Sequence, residues 1–166
     1  METVKPSPEK IWQTLGTVTD PEIPVLSVTD LGIVRNVDWE GDTLVVTITP
    51  TYMGCPAMDM ISLHLRLALM AAGIGSVRIE QKLAPAWTTD WMSEAGKEKL
   101  KAYGIAPPTP RMSVCDPVPF AAEEAIQCPR CGSWHTHRVS EFGSTACKAL
   151  YQCDACREPF DYFKCH

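Results

Sequence analysis

Leu44, Val46 and Ile48 recur at every second position among more polar neighbours, the period of an extended chain with one buried face. They lie in Thr43 to Thr49, and this stretch and Ile33 to Trp39 flank Glu40-Gly41-Asp42. The three segments together predict a β-hairpin. Before them, Ile11, Trp12 and Leu15 share a helical face, with Ser7 placed as N-cap, Pro8 at the first helical position and Gly16 as the end. After them, residues 56–72 predict a second helix that opens on Pro56 and stops at Gly73. It is apolar on nearly every face, which predicts burial against a sheet. Ser76 to Leu83 predicts another strand. Trp87 to Tyr103 predicts a third helix, capped by Thr88 or Thr89, with Trp91, Met92, Ala95 and Leu100 turned toward the core. An order of helix, strand, strand, helix, strand, helix excludes a doubly wound parallel sheet. The fold class it predicts is a two-layer α/β (α+β) domain.

Composition changes the picture beyond this domain. From Ile105 to Gln127 the chain is crowded by Pro107, Pro108, Pro110, Pro117 and Pro119, so 105–127 reads as a linker or extended strap. The predicted organisation is 1–104 as the α/β domain, 105–127 as the strap and 128–166 as a small terminal module. The only long apolar stretch, 55 to 73, is interrupted by Asp59, His64 and Arg66, which argues against a membrane span. Met1-Glu2-Thr3-Val4-Lys5 lacks the apolar core of a secretory signal, so a cytoplasmic location is expected.

Six of the eight cysteines lie in the last 39 residues, and four of them form Cys128-Pro129-Arg130-Cys131 and Cys153-Asp154-Ala155-Cys156. Two intervening residues let both sulfurs of a pair turn toward one ion. Two such pairs complete a tetrahedron, here with 21 residues between them. In a reducing compartment this pattern points to metal rather than disulfides, and four sulfurs favour zinc. The terminal module is therefore expected to be a four-cysteine zinc ribbon. It holds 4 acidic against 5 basic residues, and residues 1–104 hold 13 against 9. Neither balance supplies the basic face that nucleic acid needs, so a protein partner is expected.

Cys55 is the α/β domain's sole cysteine and stands where a strand passes into a helix, in Thr51-Tyr52-Met53-Gly54-Cys55-Pro56. Backbone N–H groups and the positive end of the helix dipole there favour thiolate over thiol, so a reactive sulfur is expected; a small buried cysteine filling a gap is the alternative. Asp20-Pro21-Glu22-Ile23-Pro24 reads by itself as a stiff turn, and Asp30-Leu31-Gly32-Ile33-Val34 as a turn entering a strand with Asp30 bonding local backbone. His135, His137, His166, Cys147 and Cys165 crowd the terminal module and offer either a second metal site or ordinary solvation and packing. Cys115 reads as an unremarkable thiol.

Taken in order, Asp20-Pro21-Glu22, Asp30-Leu31-Gly32-Ile33-Val34 and Thr51 with Cys55-Pro56 resemble the SufT-like iron–sulfur cluster assembly family over about residues 8–83. The resemblance implies a small α/β fold and a part in delivering clusters. Cys55 is then the residue of interest, accompanied by Thr51 and by an acidic turn at Asp20 and Glu22. Further along, Pro85-Ala86-Trp87-Thr88-Thr89-Asp90-Trp91-Met92, Tyr103-Gly104-Ile105-Ala106-Pro107-Pro108, the two knuckles, Ser144-Thr145-Ala146-Cys147-Lys148-Ala149 and Phe163-Lys164-Cys165-His166 resemble the family of accessory (D) subunits encoded with bacterial phenylacetyl-CoA epoxidase. One departure is Arg157, which stands where zinc knuckles commonly have glycine.

The resemblances imply a non-catalytic maturation factor acting on iron–sulfur or iron centres of that monooxygenase. Its partners would be the oxygenase and reductase components and the assembly machinery. A cluster takes four protein ligands, so Cys55 alone cannot hold one as a finished cofactor. Transient iron or a transient cluster at Cys55 needs a second Cys55 from a homodimer, help from Asp20 or Glu22, or ligands from the client. A structural subunit of the complex is the alternative function, and a thiol oxidoreductase using Cys128 and Cys131 a weaker one.

Overall fold

The computed structural model describes residues 5–108 and 126–164. Cys115, Cys165, His166 and the proline-rich stretch 109–125 lie outside the described residues. The chain divides into two units, Met1–Gly96 and Lys97–His166. That division falls ahead of residue 104, where composition alone places it.

In the first unit, α1 spans Pro8–Leu15, with the Ser7 hydroxyl accepting from the Lys10 amide and Gly16 at its C-cap. Ile11 and Leu15 are buried while Trp12 is exposed. The hairpin forms as expected from β1 (Val34–Glu40) and β2 (Thr43–Ile48), antiparallel, with Gly41 in the left-handed region between them. Helix α2 (Ala57–Ala71) follows, and β3 (Val77–Gln81) then pairs parallel to β2. The sheet order is β1-β2-β3. Because β2 is central, its polar-side positions are covered too: Val45 and Thr47 are buried along with Leu44, Val46 and Ile48. Strict alternation of sequence thus ends in a strand buried on both faces.

Two expectations need correction. Burial of α2 on nearly every side is not what the structure shows: Ala57, Met58, Ile61, Leu65 and Leu69 face inward, whereas Met60, Leu63, Leu67 and Met70 are about half exposed, at 46%, 50%, 54% and 51%. One layer of sheet can cover only one face of a helix. The helix expected over 87–103 is in fact a 3-10 turn at Thr89–Trp91 followed by α3 (Glu94–Tyr103). The cap is Ser93 rather than Thr88 or Thr89, its hydroxyl accepting from the Gly96 amide. Ala95 is exposed, and Gly96 takes the buried position instead.

Asp30-Leu31-Gly32 is the seat for this segment. Ser93 donates its amide to the Asp30 carbonyl at 2.8 Å and its hydroxyl to the Asp30 carboxylate at 2.9 Å. The Trp87 indole donates to the Leu31 carbonyl at 2.8 Å, and the Arg35 guanidinium lies 3.5 Å over the Trp91 ring. Gly32 has φ +69, and a Cβ there would overlap the Trp91 carbonyl, so no other residue type fits without displacing backbone.

The second unit is a sheet of order β4-β7-β6-β5, made of Ile105–Ala106, Pro159–Phe163, Lys148–Cys153 and Thr136–Ser140. Ile105 and Ala106, which composition assigns to the strap, pair parallel with β7; the other pairings are antiparallel. Its core gathers Ala106, Ile126, Cys128, Ala149, Tyr151, Cys153, Phe160 and Tyr162. Tyr151 stacks on Phe160 and meets Tyr162 edge-on. The fold class is therefore an α/β domain with a mixed sheet, followed by a cysteine-bearing ribbon. Among the described residues no helix is long and apolar enough to cross a membrane.

Candidate functional site

The knuckle cysteines arise from two matching turns. In the first, Gly132 donates to the Cys128 carbonyl at 2.9 Å and Cys128 to that of Ser133 at 2.9 Å. In the second, Arg157 donates to the Cys153 carbonyl at 2.9 Å and Cys153 to that of Glu158 at 3.1 Å. Gly132 has φ +75 and Arg157 φ +65, so the position after each knuckle requires the left-handed backbone. Arg157 adopts it despite its side chain, a strain of about 1–2 kcal/mol that leaves the turn intact.

These turns bring the sulfurs of Cys128, Cys131, Cys153 and Cys156 within 4.8 Å of one another, with Cys128 to Cys156 at 3.8 Å and Cys131 to Cys153 at 3.5 Å. A tetrahedron with metal–sulfur bonds of about 2.3 Å has edges of about 3.8 Å, so the donor set fits a four-sulfur metal site. Sulfurs this close cannot all ionise without a cation. Cys153 is drawn down to about 7, first by the Cys156 amide and also by the Ala155 amide and neighbouring thiols. Cys156, although the Glu158 amide favours its thiolate, is pushed up to about 12 by burial and by Cys153, Cys131 and Cys128. A metal ion removes that conflict by compensating the negative charge.

His135 and His137 are exposed and lie outside this set; His137 Nδ1 instead sits 3.0 Å from the Asp154 carboxylate. Cys147 is buried, with its sulfur 3.0 Å from the Thr145 hydroxyl. Among the described residues neither Cys147 nor these histidines joins a metal-binding group.

Cys55 precedes α2 and is partly buried, on a turn where Gly54 has φ +80 and Met53 is exposed. The expectation of a sulfur tilted toward thiolate is overturned. Burial raises the thiol above its ordinary value; the Ala57 amide and the Tyr52 side chain favour the thiolate, and the Glu22 and Asp20 carboxylates oppose it. The amide at the helix start does reach the sulfur, as the strand-to-helix position predicts. Desolvation together with two acidic neighbours outweighs it.

Asp20 and Glu22 owe their position to a closed loop. Thr19 bridges Ser27, the Asp20 amide donates to the Leu26 carbonyl, and the Asp20 carboxylate accepts from the Glu22 and Ile23 amides, each at 2.8 Å. Asp20 is thus a turn-former and a neighbour of Cys55 at once. Thr51 is buried on the approach to Cys55. Tyr52 is a contributor that sequence reasoning missed, its place three residues before the cysteine being the only sign of it.

This field carries a chemical consequence. Negative charge that discourages a thiolate also disfavours thiol–disulfide exchange, and among the described residues Cys55, Asp20 and Glu22 do not converge as ligands on one ion. Alkylation of Cys55 by iodoacetamide is expected to be slow at pH 7 and to rise about tenfold per pH unit through pH 8–9 without levelling, because the reactive thiolate is the minor form below a raised pKa. Glu22→Gln, which removes one opposing charge, shifts that profile to lower pH. A plateau near pH 7 in the native chain would contradict the assignment.

Both parts of the chain match known families. A family model described as iron-sulfur cluster assembly protein matches residues 8–80, and one described as PaaD zinc beta ribbon domain matches residues 115–164. An Escherichia coli protein provisionally named as the D-type subunit of 1,2-phenylacetyl-CoA epoxidase is 51% identical over 160 residues, covering 96% of this chain and 94% of its own. A Porphyromonas gingivalis protein named as an Fe-S protein maturation auxiliary factor is 44% identical over 94 residues, 55% of this chain and 89% of its own. A crystal structure of a DUF59 domain from Bacillus anthracis superimposes with a TM-score of 0.52 at 27% identity, covering 55% of this chain and 89% of that one.

Proposed function

Because the chain belongs to the PaaD family, the accessory (D) subunits of phenylacetyl-CoA epoxidase, with an iron–sulfur assembly domain joined to a zinc ribbon, we propose that it is a non-catalytic maturation factor for that monooxygenase system. Cys55 takes hold of iron or a cluster in transit, and Asp20 and Glu22 attract the cation. The observation that supports this reading is a partly buried thiol at the start of α2, inside the segment that matches the iron–sulfur assembly family. With one sulfur the holding is weak and the client completes the shell, as transfer requires.

The ribbon's part is structural and adhesive. Its four sulfurs hold zinc, which suits a closed four-sulfur set. Its edge strand β5 exposes Val139, and Trp134 and Phe142 flank it, at 53%, 55% and 62% exposure, an apolar fringe fitted to a protein client.

Replacing Cys55 by Ala in cells that make the epoxidase is expected to lower the iron content and activity of its components at least tenfold, with the variant's own fold and zinc unchanged. Full metallation in that background would falsify the carrier role. The E. coli relative's name as a subunit favours a second reading, a permanent structural component. Stripping the protein from the mature complex separates the two: activity survives if it is a maturation factor and falls if it is a structural subunit.

A further inference from the structure

The exposed apolar residues of α2 are spaced 3, 4 and 3 apart, as Met60, Leu63, Leu67 and Met70. That is an a-d-a-d seam over two heptads, and it lies opposite the inward face of Ile61, Leu65 and Leu69. The seam is too regular and too exposed for a helix whose core contacts are already made on its other side. The positions beside a seam decide what it pairs with. Here Asp59 and Arg66 occupy the two g positions on one flank, and His64 and Ala71 the two e positions on the other, with all four exposed.

The flanking side chains select both occupant and direction. In an antiparallel pair of α2 helices g faces g and e faces e, which sets Arg66 against Arg66 and His64 against His64 near the two-fold axis and leaves Asp59 beyond the end. In a parallel pair, g faces the e position of the next heptad. Asp59 then meets His64 of the other copy, whose ring N–H can donate to the carboxylate, twice by symmetry, and Arg66 is set against uncharged Ala71 rather than another Arg66. A self-complementary seam with this flank is what a two-fold contact requires.

We propose that a second copy of this chain docks on α2 through Met60, Leu63, Leu67 and Met70, with the two helices parallel. Each helix is already held by its own unit, so the ordering cost of a short coiled coil is met before association. Four partly exposed apolar side chains per copy make a small interface, and the dimer is accordingly weak and reversible. Parallel helices begin at the same end, so the Cys55 turns of both copies lie at that end. The dimer does not rest on the carrier reading, and Cys55→Ala is expected to leave it intact.

Sedimentation velocity of the full chain over a range of concentrations tests it. The native chain is expected to shift from monomer to dimer, and Leu63→Glu with Leu67→Glu to raise the dissociation constant at least a hundredfold with unchanged circular dichroism and zinc content. Asp59→Lys weakens association about tenfold, and adding His64→Glu restores it. For direction, Met60→Cys forms a 60-to-60 disulfide between copies on mild oxidation, identified by mass spectrometry. A native chain that stays monomeric throughout, or one whose Leu63 and Leu67 are protected from exchange only when an epoxidase component is present, overturns the proposal. So does a disulfide found only when Met60→Cys is mixed with Met70→Cys, the antiparallel outcome.

Discussion

Cys131→Ser is expected to release the bound metal and abolish the fold of the ribbon. Cys131 is exposed, so exchanging its sulfur for oxygen disturbs no packing and tests ligation alone. Among the described residues the ribbon's core cluster has eight buried members, two of which are metal-site cysteines. A core of that size does not hold a small module without a staple. Structural four-ligand zinc contributes apparent binding energy on the order of 10–16 kcal/mol, which the free module cannot replace when one ligand is lost. Elemental analysis should fall from about one equivalent of metal per chain toward none. Amides of β5, β6 and β7 should lose their exchange protection, while those of β1, β2 and β3 keep theirs. Cys147→Ala, at a buried cysteine outside the sulfur tetrahedron, should retain the metal. Retained metal and protected strands in the Cys131 variant would mean that the four sulfurs do not act as one site.

Gly32→Ala should be the most damaging single methyl in the first unit. Two costs add at this position. The left-handed backbone costs a non-glycine residue about 1–2 kcal/mol, and the new Cβ meets the Trp91 backbone, which can yield only if the 87–96 segment shifts off Asp30 and Leu31. Overpacking of this kind adds about 1–3 kcal/mol. A combined loss of about 3 kcal/mol corresponds to a fall in Tm on the order of 10–20 °C for a unit of this size. Gly73, with φ +92 and nothing within 4 Å of a Cβ, is the control: Gly73→Ala carries the backbone cost alone, about 1 kcal/mol. Four of the five tryptophans lie in this unit, so denaturant unfolding followed by their fluorescence reads both variants. Equal losses at the two glycines would show that the Trp91 contact is not decisive.

Much of this architecture is written locally. Ser7-Pro8 and Gly16 bound α1 because capping chemistry acts within a few residues, and the hairpin follows from alternation around Glu40-Gly41-Asp42. The four knuckle cysteines were legible for the same reason: a Cys-x-x-Cys turn carries its ligand geometry within itself. The sequence alone does not place the helix after Trp87, because its true cap, Ser93, is held by Asp30, far away in sequence. Likewise, Arg157 could be seen as a departure, but its φ of +65 shows that the turn overrides the side chain's preference.

The sequence by itself determined most of the elements and the ribbon's Cys-x-x-Cys pairs, since both depend on short-range patterns, whereas Asp20 and Glu22 stand out only through the family resemblance. Only the tertiary structure decided the thiol's protonation and which side of α2 is left bare. Both are sums over neighbours that come from separate elements: burial, with a smaller contribution from the acidic loop, raises Cys55 against its own helix start, and a sheet that covers one face of α2 leaves Met60, Leu63, Leu67 and Met70 to solvent. Burial and field are properties of the assembled chain, and no local pattern encodes them.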